Sequence, residues 1–183
     1  MRTKLIFPIV AAALTLAAAP ATAQLARNSD APIDMTADEL EVTNNACTAI
    51  WRGNAEALQG DSRLRAQVLR IFNAKGAATG GAQAGANCGE LERLEAEGQV
   101  YYVTPNQRVR ANNGVYVAAT ETLTMTGDVV AVQGQNVLRG TKMVFNTRTG
   151  EGNMVGQASG KNAQGRVRGV FYPSKKTNDQ ARR

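Results

Sequence analysis

The stretch GDVVAVQGQNVLRG, residues 127–140, reads as two β-strands and the turn between them. Val129 and Ala131 alternate with Val130 and Val132. A period of two sends neighbouring side chains to opposite faces of a strand, which a helix does not do. Gln133-Gly134-Gln135 supplies turn chemistry, and the chain returns through an apolar residue, an arginine and a small residue, Leu138-Arg139-Gly140.

The same text recurs along the chain. Segments beginning at Gly53, Gly98, Gly127 and Gly156 are spaced by 45, 29 and 29 residues. Eleven residues after each glycine stands an apolar residue (Leu64, Val109, Leu138, Val167). An arginine follows it (Arg65, Arg110, Arg139, Arg168), then a small residue (Ala66, Ala111, Gly140, Gly169). Met35-Thr36-Ala37, 29 residues before Leu64-Arg65-Ala66, belongs to an incomplete opening unit. A fixed period of this size marks a repeat architecture. The extra 16 residues of the first full unit fall in the Gly/Ala-rich stretch from Asn73 to Gly89, read as an inserted loop.

Alternation assigns further inward columns. Leu40 with Val42, Leu69 with Ile71, and Met143 with Phe145 continue one side, with Tyr116 in the Ile71/Phe145 column. Ala49 with Trp51, Leu94 with Ala96, and Leu123 with Met125 do the same before each glycine, and Cys47 shares the Trp51 parity. Turns fall at equivalent places: Gln59-Gly60-Asp61, Thr104-Pro105-Asn106, Gln133-Gly134-Gln135 and Asn162 to Gly165. Each unit holds about four short strands. The reading is all-β, with no helical period after the leader.

The leader is residues 1–23. Arg2 and Lys4 precede the apolar run Leu5 to Ala19, and Ala21-Thr22-Ala23 is a small-x-small cleavage site. The run is short for a membrane span of about 20 residues. Cleavage after Ala23 leaves 160 of the 183 residues, one domain's length, and lowers the net charge from +6 to +4. A mildly basic exported chain without an aromatic-basic motif is a poor nucleic-acid binder. Residues 24–31 read as a flexible segment, 32–173 as the β-domain and 174–183 as a charged, disordered tail. Cys47 and Cys88 are the two cysteines, and an even, isolated pair in an oxidising compartment forms a disulfide. A bridge closing a loop of about 42 residues contributes roughly 4 kcal/mol in the chain-entropy model.

Catalytic machinery is not legible. The chain has no histidine, no nucleophile elbow and no phosphate loop, so no catalytic residue, cofactor or metal site is assigned. Glu90, Glu92, Glu95 and Glu97 read as an exposed strand face, with Glu95 and Glu97 available to the arginines.

The ordered set of motifs resembles the OstA-like (LptA) family of periplasmic lipopolysaccharide-transport bridge proteins. The residues that carry the likeness are Pro32 to Glu41 (PIDMTADELE), Thr126 to Val130 with Val132-Gln133-Gly134, Asn136 to Gly140, and Val170 to Ser174. The family often has aspartate after the small residue of the step. Asp38 keeps it, whereas Gln67, Asn112 and Thr141 replace it. The resemblance implies a twisted, half-open β-jellyroll, V-shaped in section, of about sixteen short antiparallel strands. It also implies head-to-tail homo-oligomers, and edge-strand pairing with the inner- and outer-membrane components of the machinery that moves lipopolysaccharide. Ile33, Leu64, Tyr102, Tyr116, Val129, Met143 and Phe145 are then the candidate lining of a groove for lipid A acyl chains. Alternation alone does not separate a groove from a filled core, nor a lipid carrier from a β-assembly that stacks without a ligand.

Overall fold

The computed structural model describes residues 31–76, 88–157 and 165–173. The leader, most of the 24–31 segment, the 174–183 tail and the centre of the Gly/Ala-rich stretch lie outside the described residues.

Ten strands form one sheet in which every pairing is antiparallel. Six long strands, β3 (Thr48–Gln59), β4 (Ser62–Lys75), β5 (Cys88–Val103), β6 (Arg108–Val117), β7 (Thr122–Gln133) and β8 (Asn136–Asn146), lie side by side in chain order. Four short ones flank them. β1 (Asp34–Thr36) and β2 (Glu39–Thr43) pair with the two halves of β3. β10 (Arg168–Val170) and β9 (Gly152–Val155) do the same on β8. The two flanks do not pair with each other, so the sheet stays open. Among the described residues the only helical pieces are single 3₁₀ turns at Asn44–Ala46 and Ala118–Thr120.

The repeat glycines mark a row of irregularities that crosses the long strands. Gly53-Asn54, Gly98-Gln99 and Gly127-Asp128 each place two successive residues at positive φ, and the ladder jumps there. Arg52 pairs with Val68 but Ala55 with Ala66, so two residues face one. The jumps fall at one level across the sheet. Bulges bend the strand and increase its twist. The bulges lie on β3, β5 and β7 and leave each of the six long strands continuous, so the described residues form ten strands and not the expected sixteen or so.

Glycine is required in this row for two reasons. Its φ of 76° to 79° is unfavourable for residues with a Cβ, and a neighbour sits where the Cβ would be. A Cβ on Gly98 would lie 2.7 Å from Gln67 Cγ, and one on Gly127 2.7 Å from Asn112 Nδ2. The polar residues Gln67 and Asn112, which follow the apolar-Arg-small steps at 64–66 and 109–111, therefore pack over the bulge glycine of the next strand, whereas Gly156 meets Gly165, Arg166 and Val167 rather than Thr141. Asp38 packs in the same way over Gly53 and accepts a hydrogen bond from Asn54 Nδ2 at 3.0 Å.

The bulge also settles which face is buried. Leu64 and Leu69 are separated by an odd number of residues, so strict alternation would put them on opposite faces. Both are fully buried. On β4 the buried set passes from Leu64 and Ala66 to Leu69 and Ile71, and on β6 from Val109 and Ala111 to Gly114 and Tyr116. The sheet folds over this face. The rings of Tyr102 on β5 and Phe145 on β8 lie 5.5 Å apart, although two strands intervene and a flat sheet would hold β5 and β8 about 14 Å apart.

Three further expectations are corrected. Leu40 and Val42 keep the inward register, opposite Trp51 and Ala49, but they are 48% and 43% exposed because β2 is a flank with no strand beyond it among the described residues. Val167 is exposed too and precedes the last strand, which ends at Val170 before the exposed Phe171 and Tyr172. The insertion is narrower than the span from Asn73 to Gly89. β4 continues to Lys75 and β5 begins at Cys88, because the Asn73 N–H bonds the Cys47 carbonyl at 2.9 Å and Asn73 Nδ2 bonds the Gly89 carbonyl at 3.0 Å.

Candidate lipid-binding groove

The inner face is built from rows of side chains that cross the strands. On one side of the bulge line the register links Met35, Ala57, Leu64, Tyr102, Val109, Ala131 and Leu138. On the other side one row runs Leu40, Trp51, Leu69, Ala96, Gly114, Met125, Met143, Met154. The next runs Val42, Ala49, Ile71, Leu94, Tyr116, Leu123, Phe145. Each row reaches from one open flank to the other, because each strand contributes an apolar residue or glycine at the same level.

The candidate residues converge on this face. Leu64, Tyr102, Tyr116, Val129 and Phe145 are buried in one apolar cluster, against which Ile33 and Met143 pack while partly exposed. Ile33 precedes β1 rather than standing in it. The outward neighbours differ: Tyr101 is exposed and Val115 half-buried.

Polar atoms on the inner face are few. The Tyr102 hydroxyl is hydrogen-bonded to Ser62, yet burial pushes its pKa up to about 12, Ser62 opposing the shift and neighbouring Tyr116 adding to it. It stays neutral wherever the protein works. The Trp51 indole Nε1 and the Asn73 Oδ1 are buried and find no hydrogen-bond partner among the described residues. Alternation placed Trp51 inward but could not show that its donor would be left unpaired.

Cys47 and Cys88 form the disulfide, with Cα atoms 5.5 Å apart and both residues buried. The bond ties the turn after β2 to the first residue of β5, spanning the end of β4.

The outer face is polar. Arg65 pairs with Glu56 at 3.2 Å, Arg110 with Asp128 at 2.9 Å, Arg93 with Glu95 at 3.4 Å, and Arg70 with Glu97. Exposed pairs of this kind contribute little to stability. Arg139 and Arg168 are different: they stand directly opposite each other in the β8–β10 pairing and have no ion pair among the described residues. A surface depression of about 610 Å³ lies elsewhere, at the ends of β4–β6, where Arg93 sits 4.3 Å over the Phe72 ring. No three His, Cys, Asp or Glu side chains converge on a metal position among the described residues.

Comparison with known proteins agrees with this architecture. Residues 34–151 match the family model described as LptA/(LptD N-terminal domain) LPS transport protein. An uncharacterized protein of Rhizobium meliloti (strain 1021) is 30% identical over 172 residues, covering 93% of this chain and 87% of that one. The crystal structure of LptH from Pseudomonas aeruginosa, the LptA-homologous periplasmic component of its lipopolysaccharide transport device, superposes with a TM-score of 0.63 at 20% identity. That match covers 80% of this chain and 99% of the other, so the two share the β-jellyroll fold. The chain belongs to the LptA/LptD N-terminal domain family of lipopolysaccharide-transport proteins.

Proposed function

We propose that this chain is a periplasmic bridge component that carries lipopolysaccharide, holding the acyl chains against its inner face. In this reading it stacks head to tail with other copies, and with the inner- and outer-membrane components, through its open flanks. The observation that carries the reading is the set of apolar rows running without interruption from one flank to the other. Each CH₂ taken from water along such a path is worth about 0.8 kcal/mol. A closed, self-sufficient β-protein covers its edge strands, whereas this one presents Leu40 and Val42 at one edge and Val155 and Val170 at the other. Free edges with apolar side chains are what β-augmentation uses.

Photocrosslinking in living cells tests the reading. A photoreactive residue at Tyr102, Tyr116 or Phe145 captures lipopolysaccharide, while one at the outward neighbours Tyr101 or Val115 does not, because adjacent positions face opposite sides. Tyr116→Asp lowers lipid binding, since a carboxylate among acyl chains must be desolvated, and circular dichroism separates that loss from unfolding. The competing reading, a structural assembly with a filled interior, draws on the complete burial of Tyr116 and Leu64. It is the better one if crosslinking is equal from both faces.

A further inference from the structure

The row through Trp51 differs from the rows beside it. It begins at the half-exposed Leu40, falls to a low centre at Ala96 and Gly114, and ends in Met125, Met143 and Met154. The indole N–H of Trp51, the single tryptophan of the chain, is the only strong side-chain hydrogen-bond donor in it. That N–H is buried without a partner among the described residues. Along β3 the other inward positions around Trp51 are small, Ala49, Ala55 and Ala57. A side chain selected for bulk alone would be Phe or Leu, which bring no donor to satisfy. A buried tryptophan N–H normally has an acceptor.

We propose that Trp51 Nε1 donates a hydrogen bond to the carbonyl oxygen of an acyl linkage, fixing how deep a bound lipid sits in the trough. The assignment rests on the lipid-carrying reading above. An ester or amide carbonyl stands between a wet headgroup and dry hydrocarbon. Trp51 occupies the corresponding place in the protein, between exposed Leu40 on the flank and fully buried Leu69 on β4. The carbonyl is an acceptor without a donor, which matches a lone N–H. Acyl carbonyls of this kind occur in both lipid A and diacyl phospholipids.

The single tryptophan makes the test direct. The processed chain, ¹⁵N-labelled, has one indole N–H cross-peak. It is titrated with hexaacyl lipid A, with dipalmitoyl phosphatidylglycerol, and with the dihexadecyl ether analogue that lacks the carbonyls. The indole proton moves downfield with an acyl lipid and not with the ether. A shift with lipid A identifies the glycolipid as the source, and a shift with the diacyl phospholipid alone identifies the phospholipid. Trp51→Phe keeps the ring and loses the donor, so its affinity for the shifting lipid falls roughly fivefold while its affinity for the ether is unchanged. If neither acyl lipid moves the cross-peak while lipid A binds the wild-type chain, or if Trp51→Phe binds the shifting lipid as tightly, the hydrogen bond is absent and the carrier reading stands. If none of the lipids binds the wild-type chain, the carrier reading fails and this inference with it. Should Trp51→Phe not fold, the wild-type spectra decide alone.

Discussion

The two flanks of the sheet are built alike and charged oppositely. Each consists of two short strands laid along the two halves of a long one, β1 and β2 on β3, β10 and β9 on β8. The first carries Asp34, Asp38, Glu39 and Glu41, of which only Glu41 has an ion pair among the described residues, with Arg52 at 2.7 Å. The second carries Arg166 and Arg168, beside Arg139 and Lys142, all exposed and without ion pairs among the described residues. Like charges directly opposite in a sheet are unfavourable, so the Arg139–Arg168 pair leaves the second flank better suited to an acidic neighbour than to solvent. Two copies meeting flank to like flank bring equal charges together. A copy meeting the opposite flank of the next brings complementary ones, and that contact repeats without closing. If copies associate as proposed, similar architecture with opposite charge favours a directional stack over a symmetric dimer. The flanks differ in one more way, since the disulfide anchors the turn after β2 and nothing equivalent holds β9 or β10.

Removing that anchor has the largest expected effect. The double variant Cys47→Ala with Cys88→Ala, which opens a link across a sequence separation of 41, loses about 4 kcal/mol in denaturant unfolding by the chain-entropy model. Hydrogen exchange accelerates in β2 and β3 more than in β8 and β10. Equal acceleration at both flanks would mean that the bond acts on the whole sheet and not on one side of it.

Charge reversal comes next. Asp34→Arg with Glu39→Arg, or Arg139→Glu with Arg168→Glu, weakens self-association by about tenfold, read by static light scattering at low salt, and mixing the two variants restores pairing. Wild-type association weakens as salt is raised. Association unchanged by either reversal would break the electrostatic half of the comparison and leave the backbone edges as its whole basis.

The smallest effect belongs to the exposed apolar residues. Leu40→Ser and Phe171→Ser change monomer stability by no more than about 0.5 kcal/mol, as surface substitutions do, while each weakens association severalfold. A large loss of thermal stability in either variant would show that these side chains are core in the monomer.

The glycine-led repeat shows how far the sequence could be read. The column of Gly53, Gly98 and Gly127 was legible as a repeat marker, and so was the variable polar column of Asp38, Gln67 and Asn112. Their relation was not, because glycine on one strand and amide on the next meet only once the strands pair. The text did contain a local sign of the bulge, a glycine followed each time by Asn54, Gln99 or Asp128, polar residues of which Asn and Asp tolerate the left-handed region best.

By itself the sequence determined the strand period, the repeat length, the pairing of Cys47 with Cys88 and the membership of Leu64, Tyr102, Tyr116, Val129 and Phe145 in one inner face. The cysteine pairing follows from there being two cysteines in an exported chain, and the rest from hydrophobic patterning and the repeat columns. Only the tertiary structure decided that Leu40 and Val42, with the same patterning, are left exposed, that Arg139 faces Arg168, and that the Trp51 N–H has no partner among the described residues. Alternation specifies which side of a strand is apolar; what lies beyond that side depends on strand order and register, and so on residues distant in the chain.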